Sequence, residues 1–132
     1  MKGLKILVVE DCYLMAAALE DVLTEAGADV VALAPSVAVA MNALARHTID
    51  IACLDINLGS ETSFPLADVL ALRGIPFVFV TAYNADILPP AHRHRPFVDK
   101  TEAYLELVRA CWAAASSSVL VVRPADGAVL AR

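Results

Sequence analysis

Short apolar runs alternate along this chain with longer segments of helical period, and this alternation constrains the fold more than any other feature of the sequence. Within each run the residues are apolar at consecutive positions, which is typical of strands buried on both faces of a parallel sheet. The runs are Ile6-Leu7-Val8-Val9, Val30-Val31-Ala32-Leu33, Ile51-Ala52-Cys53-Leu54, Phe77-Val78-Phe79-Val80 and a weaker Phe97-Val98. Five strands separated by helical segments are therefore predicted.

The segments between the runs carry helix start and stop signals. The first has apolar residues three or four positions apart and stops at Gly27. The second follows Pro35-Ser36, a typical start signal. The third is expected over residues 64–73, with Ser63 as its cap and Gly74 as its stop. Each of these helices is long enough to cross back over a sheet.

The C-terminal part departs from this regular repeat. Between Ala82 and Phe97 the prolines leave helical character only in Asn84 to Ile87, so a shortened or irregular fourth helix is predicted. A long apolar stripe behind Thr101 predicts the last helix. The pieces on either side of Arg123-Pro124-Ala125-Asp126-Gly127 have the pattern of a β-hairpin.

These elements predict an α/β fold, a flavodoxin-like (βα)5 doubly wound parallel sheet of five strands in the order 2-1-3-4-5. Residues 1–116 would form this domain, and residues 117–132 would form a C-terminal tail. Two alternatives stay open for the tail: a hairpin that extends a sheet edge of this molecule or of a neighbour, and a loose end. In such a sheet, ligands bind at the carboxyl ends of the strands.

Composition excludes several classes of protein. A chain of 132 residues has room for one ordinary domain. Its net charge of −5 and lack of a basic stripe argue against nucleic acid as a partner. No apolar run reaches the roughly 18 residues of a membrane span, so a soluble cytoplasmic protein is expected. Cys12, Cys53 and Cys111 have neither disulfide-framework nor zinc spacing.

Polar residues follow four of the five predicted strands. Glu10-Asp11 follow the first strand, Asp55 the third, Thr81 the fourth and Lys100 the fifth, after Asp99. Each of them alone is more often a helix cap or a surface charge. Together they share one edge, because the carboxyl ends of parallel strands meet there.

Three carboxylates at one point repel each other, and such a cluster requires either a cation between them or protonation of some of its members. All-oxygen ligands without His or Cys suit a hard ion, and Mg2+ is the cofactor that we infer. Lys100 would add a positive charge and Thr81 a hydroxyl. A metal, an ammonium and a hydroxyl around one carboxylate favour phosphoryl transfer to that carboxylate.

These residues resemble the receiver domain of bacterial two-component response regulators, over about Lys5 to Ala115. Val8-Val9-Glu10-Asp11 is similar to the acidic pair of that family, and Leu54-Asp55-Ile56-Asn57-Leu58 is similar to its phosphoacceptor segment. Val80-Thr81-Ala82 resembles the switch hydroxyl with its small neighbour, and Phe97-Val98-Asp99-Lys100 resembles the aromatic switch position and the lysine.

The resemblance implies a role for each of these positions. Asp55 would accept the phosphoryl group from a sensor histidine kinase or a phosphotransfer protein. Asp11 and Asp55 would bind Mg2+ directly, Glu10 through water, and Asn57 through its backbone carbonyl. On the opposite side, Thr81 and Lys100 would bond the phosphoryl oxygens, with Ala82 as the small neighbour of Thr81. Phe97 would change rotamer as Thr81 moves. The protein would then be a signalling phosphoprotein and not an enzyme acting on other substrates. Its downstream target is open, as is the formation of a homodimer.

The segment Pro76-Phe77-Val78-Phe79-Val80-Thr81-Ala82-Tyr83 is also similar to a subgroup of alphaproteobacterial single-domain receivers marked by Phe-Ala-Thr-Gly-Tyr. Val80 and Ala82 replace the Ala and Gly of that motif. Membership would imply a kinase partner of the HWE or a related type. It would also imply a protein that accepts phosphate without an output domain of its own.

Departures from the family pattern keep two other functions open. Thr101 stands where receivers usually have a proline, and the usual Pro-x-x-x-Gly is missing after the phosphoacceptor segment. One alternative is therefore a pseudo-receiver that binds proteins and is never phosphorylated. The other is a Mg2+-dependent aspartyl phosphatase, which would need an acid near the position of Asn57, and an amide cannot donate that proton.

Overall fold

The five apolar runs form one parallel sheet with the predicted strand order, β2-β1-β3-β4-β5. The computed structural model describes residues 2–81, 90–92, 97–99, 113, 120–123 and 127–130. Its strands are β1 (Lys5–Val9), β2 (Asp29–Ala34), β3 (Ile51–Asp55), β4 (Phe77–Thr81) and β5 (Phe97–Asp99). The predicted flavodoxin-like architecture is confirmed.

Three helices connect the first four strands: α1 (Tyr13–Glu25), α2 (Val37–Arg46) and α3 (Phe64–Leu72). A short 3-10 turn covers Pro90–His92. The predicted helical segment Asn84 to Ile87 lies outside the described residues, and so does the last helix apart from Ala113, which is helical.

Alternation along the strands sorts their side chains into two cores. One core lies on the side of α2 and α3 and contains Leu7, Leu54 and Phe79. The other lies on the side of α1 and contains Val8, Cys53 and Val78, packed with helix residues such as Leu19 and Leu23. Both faces of the central strands are therefore apolar, which explains why their sequences are apolar at every position.

Strands β3 and β4 each run one residue further than predicted. Asp55 pairs with Val80, and Thr81 pairs with Asp99, so the polar residues expected just after the strands are the last residues of the strands themselves. The strand ends are set by backbone pairing with the neighbouring strand. The pattern of apolar side chains does not show where that pairing stops. Asp55 is consequently held by the sheet and not by a loop.

The starts of α2 and α3 differ in how they are capped. Ser36 has an extended backbone, and its Oγ accepts a hydrogen bond from the Val39 N–H at 3.2 Å. Ser63 stands in the same position before α3, but its φ of −84° and ψ of 0° are not extended, and its side chain makes no capping bond. An N-cap residue is typically extended, so Ser63 occupies the predicted N-cap position, but its side chain does not make the capping hydrogen bond.

The C-terminal residues include an antiparallel pair of strands, β6 (Leu120–Arg123) and β7 (Gly127–Leu130), which form a two-stranded sheet. Among the described strands these two pair with each other, separately from the five-stranded sheet. The division of the chain at residue 116 falls outside the described residues and stays a prediction. Within the described part of the chain, no helix combines the length and apolar character that a membrane crossing demands.

Candidate metal centre

Three carboxylates meet at the carboxyl edge of the sheet. Glu10 and Asp11 follow β1, and Asp55 ends the neighbouring strand β3. Each of the three offers one ligand oxygen, and these oxygens all lie within 4.8 Å of one another. The convergence predicted from the strand ends is therefore present for the acidic residues.

Burial differs among the three acids. Glu10 and Asp55 are 3% and 6% exposed, whereas Asp11 is exposed. The Cys12 N–H donates a hydrogen bond to Glu10 Oε2 at 3.3 Å, which ties that carboxylate to the start of α1. Negative charges this close are unfavourable unless a cation or a proton lies between them. The donor set is made of oxygen atoms alone, with one face open at Asp11, and this suits a partly hydrated Mg2+.

The loop between β3 and α3 borders the cluster and is folded like a small hairpin. Asn57 and Thr62 form an antiparallel bridge, the Leu58 N–H donates to the Glu61 carbonyl at 2.9 Å, and the Ser63 N–H donates to the Ile56 carbonyl at 2.9 Å. Asn57, whose backbone carbonyl is the fourth predicted ligand, is exposed within this loop.

Gly59, at the tip of this loop, faces the side chain of Asp11. Its φ is +79°, and a Cβ built there would lie 3.6 Å from Asp11 Oδ2. Glycine adopts this left-handed conformation without steric cost. The sequence places Gly59 near the phosphoacceptor segment but gives no sign that it approaches Asp11.

The remaining predicted site residues are located only by their backbones or lie outside the described residues. Thr81 is the last residue of β4 and Phe97 is the first residue of β5. Ala82 and Lys100 lie outside the described residues. The site residues that the structure brings together by side chain are thus Glu10, Asp11 and Asp55.

Two features of the site were missed by sequence reasoning. Glu61, in the loop after Asp55, sends its side chain to α2, where Oε2 accepts a hydrogen bond from the Val37 N–H at 3.1 Å. No local pattern signals a partner 24 residues away. Tyr13 and Leu14, which follow the acidic pair after Cys12, are each 77% exposed. Residue type alone does not predict that both of these side chains are exposed.

A profile of the response regulator receiver domain matches residues 6–91 of this sequence. The chain belongs to the response regulator receiver family. The match spans β1 to the 3-10 turn, and therefore includes all three carboxylates.

Solved structures agree with this assignment. The solution structure of SdrG from Sphingomonas melonis Fr1 is 38% identical to the receiver, with a TM-score of 0.74 over 87% of this chain and 98% of that one. The BeF3-activated conformation of SdrG, from Pseudomonas melonis Fr1, is 39% identical, with a TM-score of 0.70 over 83% of this chain and 95% of that one.

A more distant structure shares the fold. The response regulator TrrA from Thermotoga maritima, solved in complex with Mg2+-BeF, is 22% identical, with a TM-score of 0.72 over 83% of this chain and 95% of that one. The comparison with curated proteins gave no match.

Proposed function

We propose that this receiver accepts a phosphoryl group on Asp55 from a sensor histidine kinase or a phosphotransfer protein, in a Mg2+-dependent reaction, and signals through the resulting conformational change. The observation that carries the proposal is the approach of the Glu10, Asp11 and Asp55 oxygens to within 4.8 Å at the carboxyl edge of the sheet. The TrrA structure with Mg2+-BeF supports a similar ligand in a protein of this fold.

In the proposed reaction, a carboxylate oxygen of Asp55 attacks the phosphorus of a phosphohistidine. The new O–P bond forms as the P–N bond breaks, and the imidazole leaves with the electron pair of that bond. Such a transfer depends mainly on alignment and on charge neutralisation. Placement at the end of β3 fixes the direction of the Asp55 backbone, and burial of this residue limits its access to bulk water.

Magnesium, when bound, would neutralise charge on the phosphoryl oxygens and on the attacking carboxylate. Asp11 and Asp55 are its proposed direct ligands, with Glu10 acting through water and Asn57 through its backbone carbonyl. The oxygen-only donor set supports this assignment. The exposure of Asp11 and Asn57 leaves one side of the cluster accessible to water and to the donor.

We assign the switch to Thr81 and Phe97, with Ala82 beside the hydroxyl and Lys100 as the cation on the phosphoryl group. Strand register supports this assignment, because Asp55 pairs with Val80, one residue before Thr81. Thr81 pairs in turn with Asp99, which directly precedes Lys100. Phosphorylation at β3 would then be communicated across β4 to β5.

In this proposal the kinase or phosphotransfer protein docks at the start of α1. The reaction takes place in the cytoplasm. Tyr13 and Leu14 are exposed apolar side chains one turn from the acidic pair, where a donor must approach to reach Asp55. The motif around Thr81 favours a kinase of the HWE type. A homodimer of this receiver stays a prediction.

Intact mass spectrometry tests the phosphorylation. With a small phosphodonor and Mg2+, the protein should gain one phosphoryl group, and Asp55→Asn or removal of Mg2+ by a chelator should abolish the gain. Asp21→Asn, which changes an exposed aspartate on α1 outside the cluster, is the matched control and should behave as the unaltered protein.

Two results would contradict the proposal. No mass increase in the unaltered protein would favour a protein-binding pseudo-receiver. Steady turnover of a phosphate ester would favour an aspartyl phosphatase instead.

A further inference from the structure

Glu61 joins two parts of the molecule that are otherwise separate in sequence. Its backbone closes the loop between β3 and α3, because its carbonyl accepts a hydrogen bond from the Leu58 N–H at 2.9 Å. Its carboxylate leaves the loop, and Oε2 accepts a hydrogen bond from the Val37 N–H at 3.1 Å. Val37 is the first residue of α2.

The α2 end of this link is firmly placed. Ala40 and Ala43 are buried against the sheet, so the helix cannot shift without disturbing the core. The Val37 N–H is one of the donors at a helix start that have no acceptor within the helix. The helix dipole also favours a carboxylate at this end. Ser36 Oγ accepts from a different donor, the Val39 N–H, so each side chain can be removed without deleting the hydrogen bond of the other.

The loop end of the link lies beside the metal centre. Asn57 is bridged to Thr62, the residue after Glu61. Gly59 lies between them and faces Asp11: a Cβ built on Gly59 would lie 3.6 Å from Asp11 Oδ2. A movement of Glu61 would therefore move the backbone that carries the Asn57 carbonyl and the loop tip that faces Asp11.

We propose that Glu61 is a positioning residue for the metal centre: by capping α2, its carboxylate holds the loop after Asp55 in the conformation that presents the Asn57 carbonyl to Mg2+. This inference rests on the proposed function for the identity of the ion. Glu61 itself does not touch the ion. Its effect is on metal affinity, through the loop.

The test is a Mg2+ titration followed by NMR of the backbone amides of residues 56–62, with the dissociation constant taken from the midpoint. Glu61→Ala should weaken Mg2+ binding about tenfold, because loss of a group that orients a metal ligand typically lowers metal affinity by about 10- to 100-fold. Glu61→Gln retains a carbonyl oxygen that can accept from the Val37 N–H, and should bind Mg2+ within about twofold of the unaltered protein.

Two controls separate the link from other effects. Ser36→Ala removes the other cap of α2 and should leave Mg2+ affinity unchanged, although it loosens the same helix end. Glu25→Ala removes the same charge at the end of α1, at the opposite edge of the sheet, and should also leave affinity unchanged. Equal weakening by Ser36→Ala and Glu61→Ala would overturn the proposal in favour of a general effect of α2.

Unchanged Mg2+ affinity in Glu61→Ala would overturn the inference while leaving the proposed function standing. Failure of the unaltered protein to bind Mg2+ would overturn both. If Glu61→Ala does not fold, a Mg2+ titration of the unaltered protein still tests the link. Its Val37 amide resonance should shift with the same midpoint as that of Asn57, and a Val37 resonance that stays in place while Asn57 moves would contradict the link.

Discussion

Gly59 is the residue at which backbone conformation and the metal centre are most directly connected. Its φ of +79° lies in the left-handed region, which costs other residues about 1–2 kcal/mol. The position of a Cβ at 3.6 Å from Asp11 Oδ2 is an ordinary contact, so an added methyl group would fit in space. The cost of Gly59→Ala is therefore backbone strain, which the loop relieves by moving.

Gly59→Ala should lower the free energy of unfolding by about 1 kcal/mol and also weaken Mg2+ binding. Gly74→Ala is the control, since Gly74 has a similar φ of +70° with open space around it, away from the carboxylates. The Gly74→Ala variant should show a similar decrease in the free energy of unfolding and an unchanged Mg2+ affinity. Denaturant unfolding and Mg2+ titration of both variants check this, and equal loss of affinity in the two would contradict a local role for the loop tip.

Among the elements, the start of α1 places the exposed side chains of Tyr13 and Leu14 next to the acidic cluster. Leu14→Ser should slow phosphoryl transfer from a phosphorylated histidine kinase about fivefold or more, as expected for an apolar residue central to an interface. Its phosphorylation by a small donor should be unchanged, because Leu14 is not part of the metal centre. Rates of label transfer from the kinase, compared with rates from the small donor, check the prediction.

Leu72→Ser is the matched control for Leu14→Ser. Leu72 is 89% exposed and ends α3 near the opposite edge of the sheet, so the same chemical change there should leave both rates unchanged. If Leu72→Ser slowed the kinase reaction as much as Leu14→Ser, the docking surface would not be at the start of α1.

The elements also show what a sequence can predict. Strand order and the acidic ends of β1 and β3 follow from apolar runs and from the geometry of parallel sheets, and they required no knowledge of contacts. The side-chain partner of Glu61 and the backbone conformation of Ser63 depend on how distant segments meet. Neither spacing nor residue type reports such contacts, so the hydrogen bonds that shape the loop after Asp55 could not be predicted.

At the scale of the whole molecule, the carboxylate cluster would couple the proposed metal binding to the stability of the fold. The complete cluster exists only when β1 and β3 are paired, because Asp55 is distant in sequence from Glu10 and Asp11. Mg2+ that binds the folded chain and not the unfolded one must therefore stabilise the fold. At a free Mg2+ concentration about 100 times its dissociation constant, the gain is about 2.7 kcal/mol, or roughly 10 °C in Tm.

Asp11→Asn separates this linkage from a general effect of salt. Removing one charge relieves repulsion within the cluster, so the variant should melt above the unaltered protein without Mg2+ and gain little when Mg2+ is added. Thermal melts in MgCl2, in KCl of equal ionic strength and with a chelator make the comparison. Equal stabilisation of the unaltered protein by the two salts would show that these carboxylates do not bind the ion as one site, and phosphoryl transfer at Asp55 would then lack its proposed source of positive charge.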